Sequence, residues 1–146
     1  LGYEVANGCL SIFLEFVSEG SMARLLKEFG ALQARSLGSA TLGCLSGLRY
    51  LHSQSPPVVH RDIKCANLLV DAHFVVKLAD FGCSKHASNT KSYSIVGSVP
   101  WMAPEVVLQL DGHGRKADIW SFGCTVLEMA TAQKPWGDGF FDNAIF

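Results

Sequence analysis

Residues 60–67 read His-Arg-Asp-Ile-Lys-Cys-Ala-Asn, and this stretch decides how the whole chain is interpreted. It brings a carboxylate, an ammonium group and a carboxamide together within eight residues. Two shorter motifs follow it, Asp80-Phe81-Gly82 and Ala103-Pro104-Glu105. Each motif alone is a weak signal because tripeptides recur by chance, but all three in this order form a strong one.

The first two motifs are separated by a predicted β-hairpin. Two short apolar runs flank Asp71-Ala72-His73, and such runs on either side of a polar turn are typical of paired strands. If the strands pair near Val70 and Lys77, Asn67 and Asp80 lie side by side at the open end of the hairpin. The pattern therefore predicts that the two motifs meet in space.

Together, the three motifs resemble the catalytic-loop, metal-loop and activation-segment signatures of protein kinases, in that family's order. The implied fold is α+β and protein-kinase-like, with a hinge, a truncated and mainly helical large lobe, and a catalytic β-hairpin. We expect one partial kinase domain over residues 1–146, with the small lobe before residue 1 and the late helices after residue 146. The family's Gly-rich loop and its strand lysine would lie before the hinge, so we expect the 146 residues alone to be inactive.

The resemblance implies a role for each polar residue of this site. Asp62 would accept the proton of the attacking hydroxyl, and Lys64 would balance charge on the migrating phosphoryl group. Asn67 and Asp80 would bind Mg²⁺, which prefers such oxygen ligands, and Ser98 would lie near the acceptor hydroxyl. Considered one at a time, Asp62 and Asp80 could be ordinary turn residues, and Lys64 could be an ordinary solvated side chain. As a set, they are what phosphoryl transfer with ATP and Mg²⁺ requires.

The resemblance also assigns a nucleotide-binding set. Backbone groups of Glu15 and Val17 would bind adenine, with Leu14 at the back of the pocket and Leu69 on its apolar floor. Ser21 belongs to the same set and is independently predicted to be a helix N-cap. Leu14 and Leu69 fit a simple core role equally well, and that alternative stays open.

Finer features resemble Ser/Thr kinases of the mitogen-activated protein kinase kinase kinase (MAPKKK) tier. The lysine within Asp62–Asn67 matches the Ser/Thr pattern, and the segments 97–105, 13–21 and 117–124 resemble the MAPKKK tier. Val99-Pro100 departs from the usual Pro-aromatic pair at this place. The implied reaction is transfer of the ATP γ-phosphoryl group to Ser or Thr hydroxyls of a protein, with a MAPK kinase (MAPKK) as the expected substrate.

Regulation by phosphorylation is a further expectation. Residues 83–98 are rich in Ser, Thr and Lys and predict a long loop. Arg61 precedes the proposed catalytic aspartate, an arrangement that in this family accompanies activation-loop phosphorylation. A phosphate on Ser94, or else on Thr90 or Ser92, would give Arg61 a charge-assisted partner.

The remaining elements are predicted from patterning. Residues 10–17 predict a mostly buried strand, and a helix is predicted to begin after Ser21 and to stop at Gly30. A second helix is predicted over Ser36–His52. Apolar residues occupy nearly every face of the stretch Asp118–Ala130, which indicates a helix that is buried all round. By resemblance, Asp118 would anchor the catalytic-loop backbone, and it also fits a plain N-cap.

Composition limits the other function classes. Apolar residues make up 49% and charged residues 17% of the chain, which excludes a disordered chain. A formal net charge of −1 provides no general attraction to nucleic acid or to an anionic membrane, so neither is an expected partner. Five cysteines without metal-ligand spacing favour a reducing, cytoplasmic location.

Two alternatives to a protein kinase remain. A pseudokinase-like scaffold has the same fold, but it has no physical need for a carboxylate, an ammonium group and a carboxamide in this arrangement. A small-molecule kinase is disfavoured because residues 83–98 and 101–105 resemble a platform for a protein substrate.

Overall fold

The structure is a computed structural model that describes residues 1–86, 96–110 and 113–137. Within these ranges three two-stranded antiparallel ladders accompany four helices, which confirms the predicted α+β class. The strands are β1 Gly2–Ala6, β2 Cys9–Phe13, β3 Val58–Val59, β4 Leu68–Val70, β5 Val76–Leu78 and β6 Lys85–His86. The helices are α1 Met22–Phe29, α2 Ala34–His52, α3 Pro104–Val107 and α4 Arg115–Thr131. The pairs are β1 with β2, β3 with β6, and β4 with β5.

The first hairpin differs from the prediction. The expected strand over residues 10–17 is shorter, and it pairs with β1, a strand that was not predicted. Asn7 and Gly8 connect the two strands with φ angles of 52° and 76°. An Asn-Gly pair supplies the positive φ angles that a tight hairpin turn requires, and this was the signal for the missed strand. Every residue of β1 and β2 is exposed, so the expected burial is also wrong.

The first two helices agree closely with the sequence. Ser21 caps α1, and its hydroxyl accepts a hydrogen bond from Arg24 N at 3.3 Å. Gly30 ends this helix with a φ of 79° and donates its N–H to Leu26 O at 2.9 Å. The second helix starts two residues before the predicted Ser36 and ends at His52 as predicted.

The main core lies between α1, α2, the β4–β5 hairpin and α4. Its buried members are Met22, Leu26, Ala40, Cys44, Leu48, Ile63, Cys65, Leu68, Val70, Val76 and Met129. Glycine permits close packing of α2 on the hairpin, because a Cβ on Gly47 would lie 2.9 Å from Leu78 Cδ1. This contact explains a glycine in a helix, where it costs up to about 1 kcal/mol relative to alanine.

The β4–β5 hairpin, predicted as the catalytic hairpin, forms as expected, but its register differs by one residue. Val70 pairs with Val76 and not with Lys77. The turn is tighter than expected because Asp71 Oδ1 accepts hydrogen bonds from the N–H groups of residues 73 and 75, both at 2.9 Å. In this register Asn67 lies opposite Ala79, whose N–H donates to Asn67 O at 2.9 Å.

The prediction that the last helix is buried all round is wrong. One side of α4 is buried and carries mostly small or polar residues, namely Ala117, Asp118, Ser121, Cys124, Thr125 and Met129. The opposite side leaves Ile119, Trp120 and Leu127 exposed. Composition around a helix does not reveal which side the neighbouring elements cover.

The segment 83–98, predicted as a long loop, contains β6 near its start, and this strand pairs with β3. The expected phosphorylation positions Thr90, Ser92 and Ser94 lie outside the described residues. Among the residues that the structure does describe, no helix combines the length and hydropathy needed to cross a bilayer.

Candidate active site

The stretch 60–67 is held by one buried carboxylate from α4. Asp118 is 1% exposed, and its two oxygens accept hydrogen bonds from His60 N at 2.9 Å and from Arg61 N at 2.8 Å. His52 Nε2 at the end of α2 lies 2.8 Å from Asp118 Oδ2. The contact that was expected between Asp118 and the loop backbone is therefore present. It positions the backbone directly before Asp62.

His60 connects this loop to the Asp80-Phe81-Gly82 motif. Its Nδ1 accepts a hydrogen bond from Asp62 N at 3.3 Å, so its Nε2 is the donor to Ala79 O at 3.1 Å. The ring also packs against Phe81 with a centroid distance of 5.0 Å. Burial lowers the pKa of His60 despite the nearby Asp118 carboxylate, which favours the neutral ring that this bonding requires.

Three of the four predicted catalytic residues contact the fourth, Asp62. Lys64 Nζ donates to Asp62 Oδ2 at 2.8 Å and to Ser98 Oγ at 2.6 Å. Ser98 N donates to Asp62 Oδ1 at 2.9 Å. Asn67 Nδ2 donates to the Asp62 backbone oxygen at 2.8 Å and to Asp62 Oδ2 at 2.9 Å. Both oxygens of the buried Asp62 carboxylate accept hydrogen bonds, which fix the orientation of this side chain.

The hydrogen bonds outweigh burial in setting the acidity of Asp62. Burial raises the pKa of this carboxyl, whereas the hydrogen bonds from Lys64 and Ser98, the positive charge of Lys64 and the Asn67 amide lower it. The net result is a pKa below the ordinary value of 3.8. Asp62 is thus an ionised hydrogen-bond acceptor at neutral pH.

Gly97 allows the segment that carries Ser98 to approach the loop. It has a φ of 117°, and a Cβ at this position would collide with the Arg61 carbonyl oxygen. Only glycine combines this backbone conformation with this close approach. The glycine therefore explains how Ser98, from a distant part of the sequence, reaches Asp62 and Lys64.

The structure places Asp80 at the rim of this site. Asp80 is exposed, has a φ of 61°, and accepts a hydrogen bond from Gly82 N at 3.3 Å. The prediction placed Asp80 directly opposite Asn67. In the structure Ala79 takes that position, and Asp80 lies one residue beyond it. Among the described residues no group of three or more His, Cys, Asp or Glu side chains is arranged for a metal ion.

Four of the five predicted nucleotide-binding residues lie along the segment between β2 and α1, and the fifth, Leu69, lies in β4. Leu14 exposes 79% of its surface, so the described residues do not enclose it. Glu15 forms an ion pair with Lys77 of β5. Val17 O accepts a hydrogen bond from Gly20 N at 3.4 Å. The binding roles assigned to Leu14, Glu15 and Val17 stay predictions.

Ser21 and Leu69 connect this segment to the catalytic hairpin. The two residues form an isolated antiparallel bridge, and Leu69 is half-buried. The Ser21 hydroxyl is engaged as the N-cap of α1. Their assignment to a nucleotide site is not tested by these contacts and stays a prediction.

Arg61, the expected phosphate partner, reaches toward the metal-loop motif. Its Nε donates to Cys83 O, and its backbone has a positive φ of 72°. The loop positions expected to carry the phosphate are not among the described residues, so the regulatory role of Arg61 stays a prediction.

Sequence analysis missed Glu128, which connects two parts of the site. Glu128 Oε2 accepts hydrogen bonds from Cys65 N at 3.1 Å and from Trp101 Nε1 at 2.9 Å. One carboxylate thus fixes both the catalytic loop and the segment after Ser98. The available signal was a single acidic residue in the last turns of a largely apolar helix.

Comparisons with known proteins classify the chain. The family model described as "Protein kinase domain" matches residues 3–143. Mitogen-activated protein kinase kinase kinase A of Dictyostelium discoideum is 49% identical over 140 residues, covering 94% of this chain and 14% of that protein. Mitogen-activated protein kinase kinase kinase 3 of Arabidopsis thaliana is 48% identical over 146 residues, covering 99% of this chain and 24% of that protein.

A fungal relative has a similar level of sequence identity over the whole chain. MAP kinase kinase kinase mkh1 of Schizosaccharomyces pombe is 42% identical over 151 residues, covering 100% of this chain and 13% of that protein. The chain spans a quarter or less of the length of these relatives. A family model that covers nearly the whole chain, together with relatives of this similarity, settles its classification: the chain belongs to the protein kinase family.

Proposed function

We propose that this chain is a part of the catalytic domain of an ATP-dependent Ser/Thr protein kinase of a MAPK cascade. The observation that carries the proposal is the convergence of Lys64, Asn67 and Ser98 on the buried, ionised carboxylate of Asp62. Phosphoryl transfer depends on positioning and charge stabilisation, and this constellation supplies both.

Asp62 is the proposed acceptor of the proton from the substrate hydroxyl. Its carboxylate is ionised at neutral pH, and the bonds from Lys64 and Ser98 fix its orientation. Lys64 touches both Asp62 and Ser98 and is the proposed source of positive charge beside the transferred group. Asn67 holds the loop by donating to the Asp62 carbonyl.

The residues present fit magnesium and ATP. Asn67 uses its amide nitrogen for Asp62, which leaves the carboxamide oxygen as its remaining acceptor, and Asp80 presents an exposed carboxylate nearby. Magnesium is commonly held by one or two such protein oxygens together with substrate phosphates. Asn67 and Asp80 would hold the ion, and Glu15, Val17 and Leu69 would lie beside the base. When bound, magnesium supplies positive charge to phosphate oxygens.

The proposed substrate is a MAPKK, and the proposed location is the cytoplasm. The substrate follows from the names of the relatives, each of which is a MAPKKK. The cytoplasmic location follows from the cysteine pattern of the sequence. That the 146 residues alone transfer little or no phosphate also stays a prediction.

The test is Asp62→Asn in the full-length protein that contains this chain. We expect transfer from ATP to a protein substrate to fall by about 10²- to 10⁴-fold, because the hydroxyl loses its proton acceptor. The KM for ATP should change less than about twofold, since Asp62 is not assigned to nucleotide binding. The readout is steady-state kinetics with radiolabelled ATP and an inactivated MAPKK.

The matched control is Asp71→Asn in the hairpin turn. Asp71 is a partly exposed aspartate that accepts two backbone N–H groups, and asparagine can accept them as well. Activity of this variant should match that of the parent. Equal activity of the Asp62 variant and the parent, or a parent without transferase activity, would contradict the proposal and favour a scaffold.

A further inference from the structure

The segment Ser98–Trp101 carries Ser98 into the candidate active site and forms a short 3₁₀ turn. Its first two carbonyls accept local backbone bonds, from Trp101 N to Ser98 O and from Met102 N to Val99 O, both at 3.0 Å. The last carbonyls of such a turn have no partner within it. The conformation of the segment therefore depends on donors from other parts of the chain.

Two side chains supply these donors. Ser121 Oγ of α4 donates to Trp101 O at 2.7 Å. Trp136 Nε1 donates to Pro100 O at 2.9 Å, from a position five residues beyond the end of α4. All four carbonyls of the segment are thus hydrogen-bonded, and the bond to Pro100 is made by an indole.

The backbone of Trp136 is held in an unfavourable conformation. Its φ is 74°, in the left-handed region that bulky residues rarely adopt, and Gly137 follows with a φ of 78°. Non-glycine residues keep such a conformation only where surrounding contacts impose it. The bond to Pro100 and a stacked Trp120 ring, with a centroid distance of 6.3 Å and an interplanar angle of 23°, are two contacts that hold Trp136 here.

The carbonyl that Trp136 reaches belongs to a proline. Pro100 has no N–H group, which leaves its carbonyl as its one backbone hydrogen-bonding group. Its neighbour Val99 packs against the small core around α3. Trp136 supplies the donor for the Pro100 carbonyl from outside the segment.

We propose that Trp136 is a positioning residue that fixes the acceptor-side segment through its indole N–H, and thereby controls the kinetics of the protein substrate and not of ATP. The inference rests on the proposed kinase function. The opposite end of the segment is joined to the site, because Ser98 contacts both Asp62 and Lys64. Loss of the hydrogen bond to the Pro100 carbonyl therefore shifts the segment, including Ser98, relative to the proposed position of the acceptor hydroxyl.

The test compares Trp136→Phe and Trp136→Leu in the full-length protein. Phenylalanine keeps a ring beside Trp120 but lacks the N–H donor, and leucine lacks both. Because loss of one hydrogen bond is the common change, both variants should lower kcat/KM for an inactivated MAPKK by about 2- to 10-fold. The KM for ATP and the thermal midpoint should stay close to those of the parent.

The control is Tyr50→Phe, a conservative change at an exposed aromatic residue of α2, which should leave both kinetic constants unchanged. An active parent whose Trp136→Phe variant keeps full kcat/KM overturns the inference, since the ring and not the N–H would then matter. An equal rise in the KM for ATP also overturns it. A parent that transfers no phosphate overturns the proposed function itself.

Discussion

The stretch 60–67 and the β1–β2 hairpin show two different ways in which this chain fixes its backbone. In the loop, the key backbone donors of His60 and Arg61 bond to one carboxylate more than fifty residues later, in α4. In the hairpin, the two strands bond to each other across the Asn7-Gly8 turn, and every strand residue is exposed. The loop depends on distant residues, whereas the hairpin depends on its neighbours.

The hairpin is the more regular of the two regions, whereas the loop contains the polar residues of the candidate active site. Local pairing defines the hairpin, yet it leaves large apolar side chains such as Leu10 and Ile12 exposed and builds no polar site among them. The loop has little regular structure, but its polar side chains are buried or half-buried and are hydrogen-bonded. Because an unpaired buried polar group is costly, such a network is retained only as a whole.

Asp118→Ala is expected to produce the largest effect on stability. The change leaves the N–H groups of His60 and Arg61 and the ring of His52 without their buried acceptor. We expect a loss of about 3–5 kcal/mol in the free energy of unfolding, measured by urea denaturation of the purified chain. Glu4→Ala in the exposed strand β1 is the control and should leave the midpoint unchanged. Similar midpoints for both variants would show that the loop is not fixed by α4.

A second prediction compares the same substitution in the two regions. Ile63 is fully buried in the main core, whereas Ile12 in β2 is 64% exposed. Ile63→Ala should cost about 2–5 kcal/mol, because it leaves a cavity, while Ile12→Ala should change stability by less than about 0.5 kcal/mol. Urea denaturation measures both. A large cost at Ile12 would mean that the hairpin packs against other residues in solution.

The smallest predicted effect concerns the pH dependence of activity. Burial raises the pKa of Asp62, and Lys64 is the main group that opposes it, so Lys64→Met should raise that pKa. In its proposed role the Asp62 carboxylate accepts a proton only when it is ionised, so activity should be lost as the pH falls through this pKa. The acidic limb of kcat/KM should move to higher pH in Lys64→Met of the full-length protein. Lys64→Arg keeps the positive charge and should shift the acidic limb less. If the acidic limb of kcat/KM has the same position in both variants as in the parent, this account is contradicted.

The sequence predicted the catalytic hairpin but not its register. Apolar runs and a polar turn determine that two strands pair, whereas the count of residues in the turn depends on which backbone N–H groups Asp71 accepts. The convergence of Asp62, Lys64, Asn67 and Ser98 could be expected only by resemblance. No local pattern brings Ser98 to Lys64 across a sequence separation of 34 residues.

The helices show the same division. Ser21 and Gly30 gave the start and end of α1, because caps act through neighbouring backbone groups. For α4, the sequence showed which residues are apolar but not which side of the helix is buried. The buried side includes the polar residues Asp118, Ser121 and Thr125. The side of a helix that is buried depends on what packs against it.

By itself, the sequence determined the family of this chain, its α+β class and the identity of the residues that carry the proposed chemistry, because these follow from motif and local pattern. Tertiary structure alone decided how those residues are held. Asp118, Glu128 and Trp136 act on backbone and side-chain groups that are distant in sequence. Their contacts exist only when α4 packs beside the loop, since hydrogen bonds depend on distance in space and not on separation along the chain.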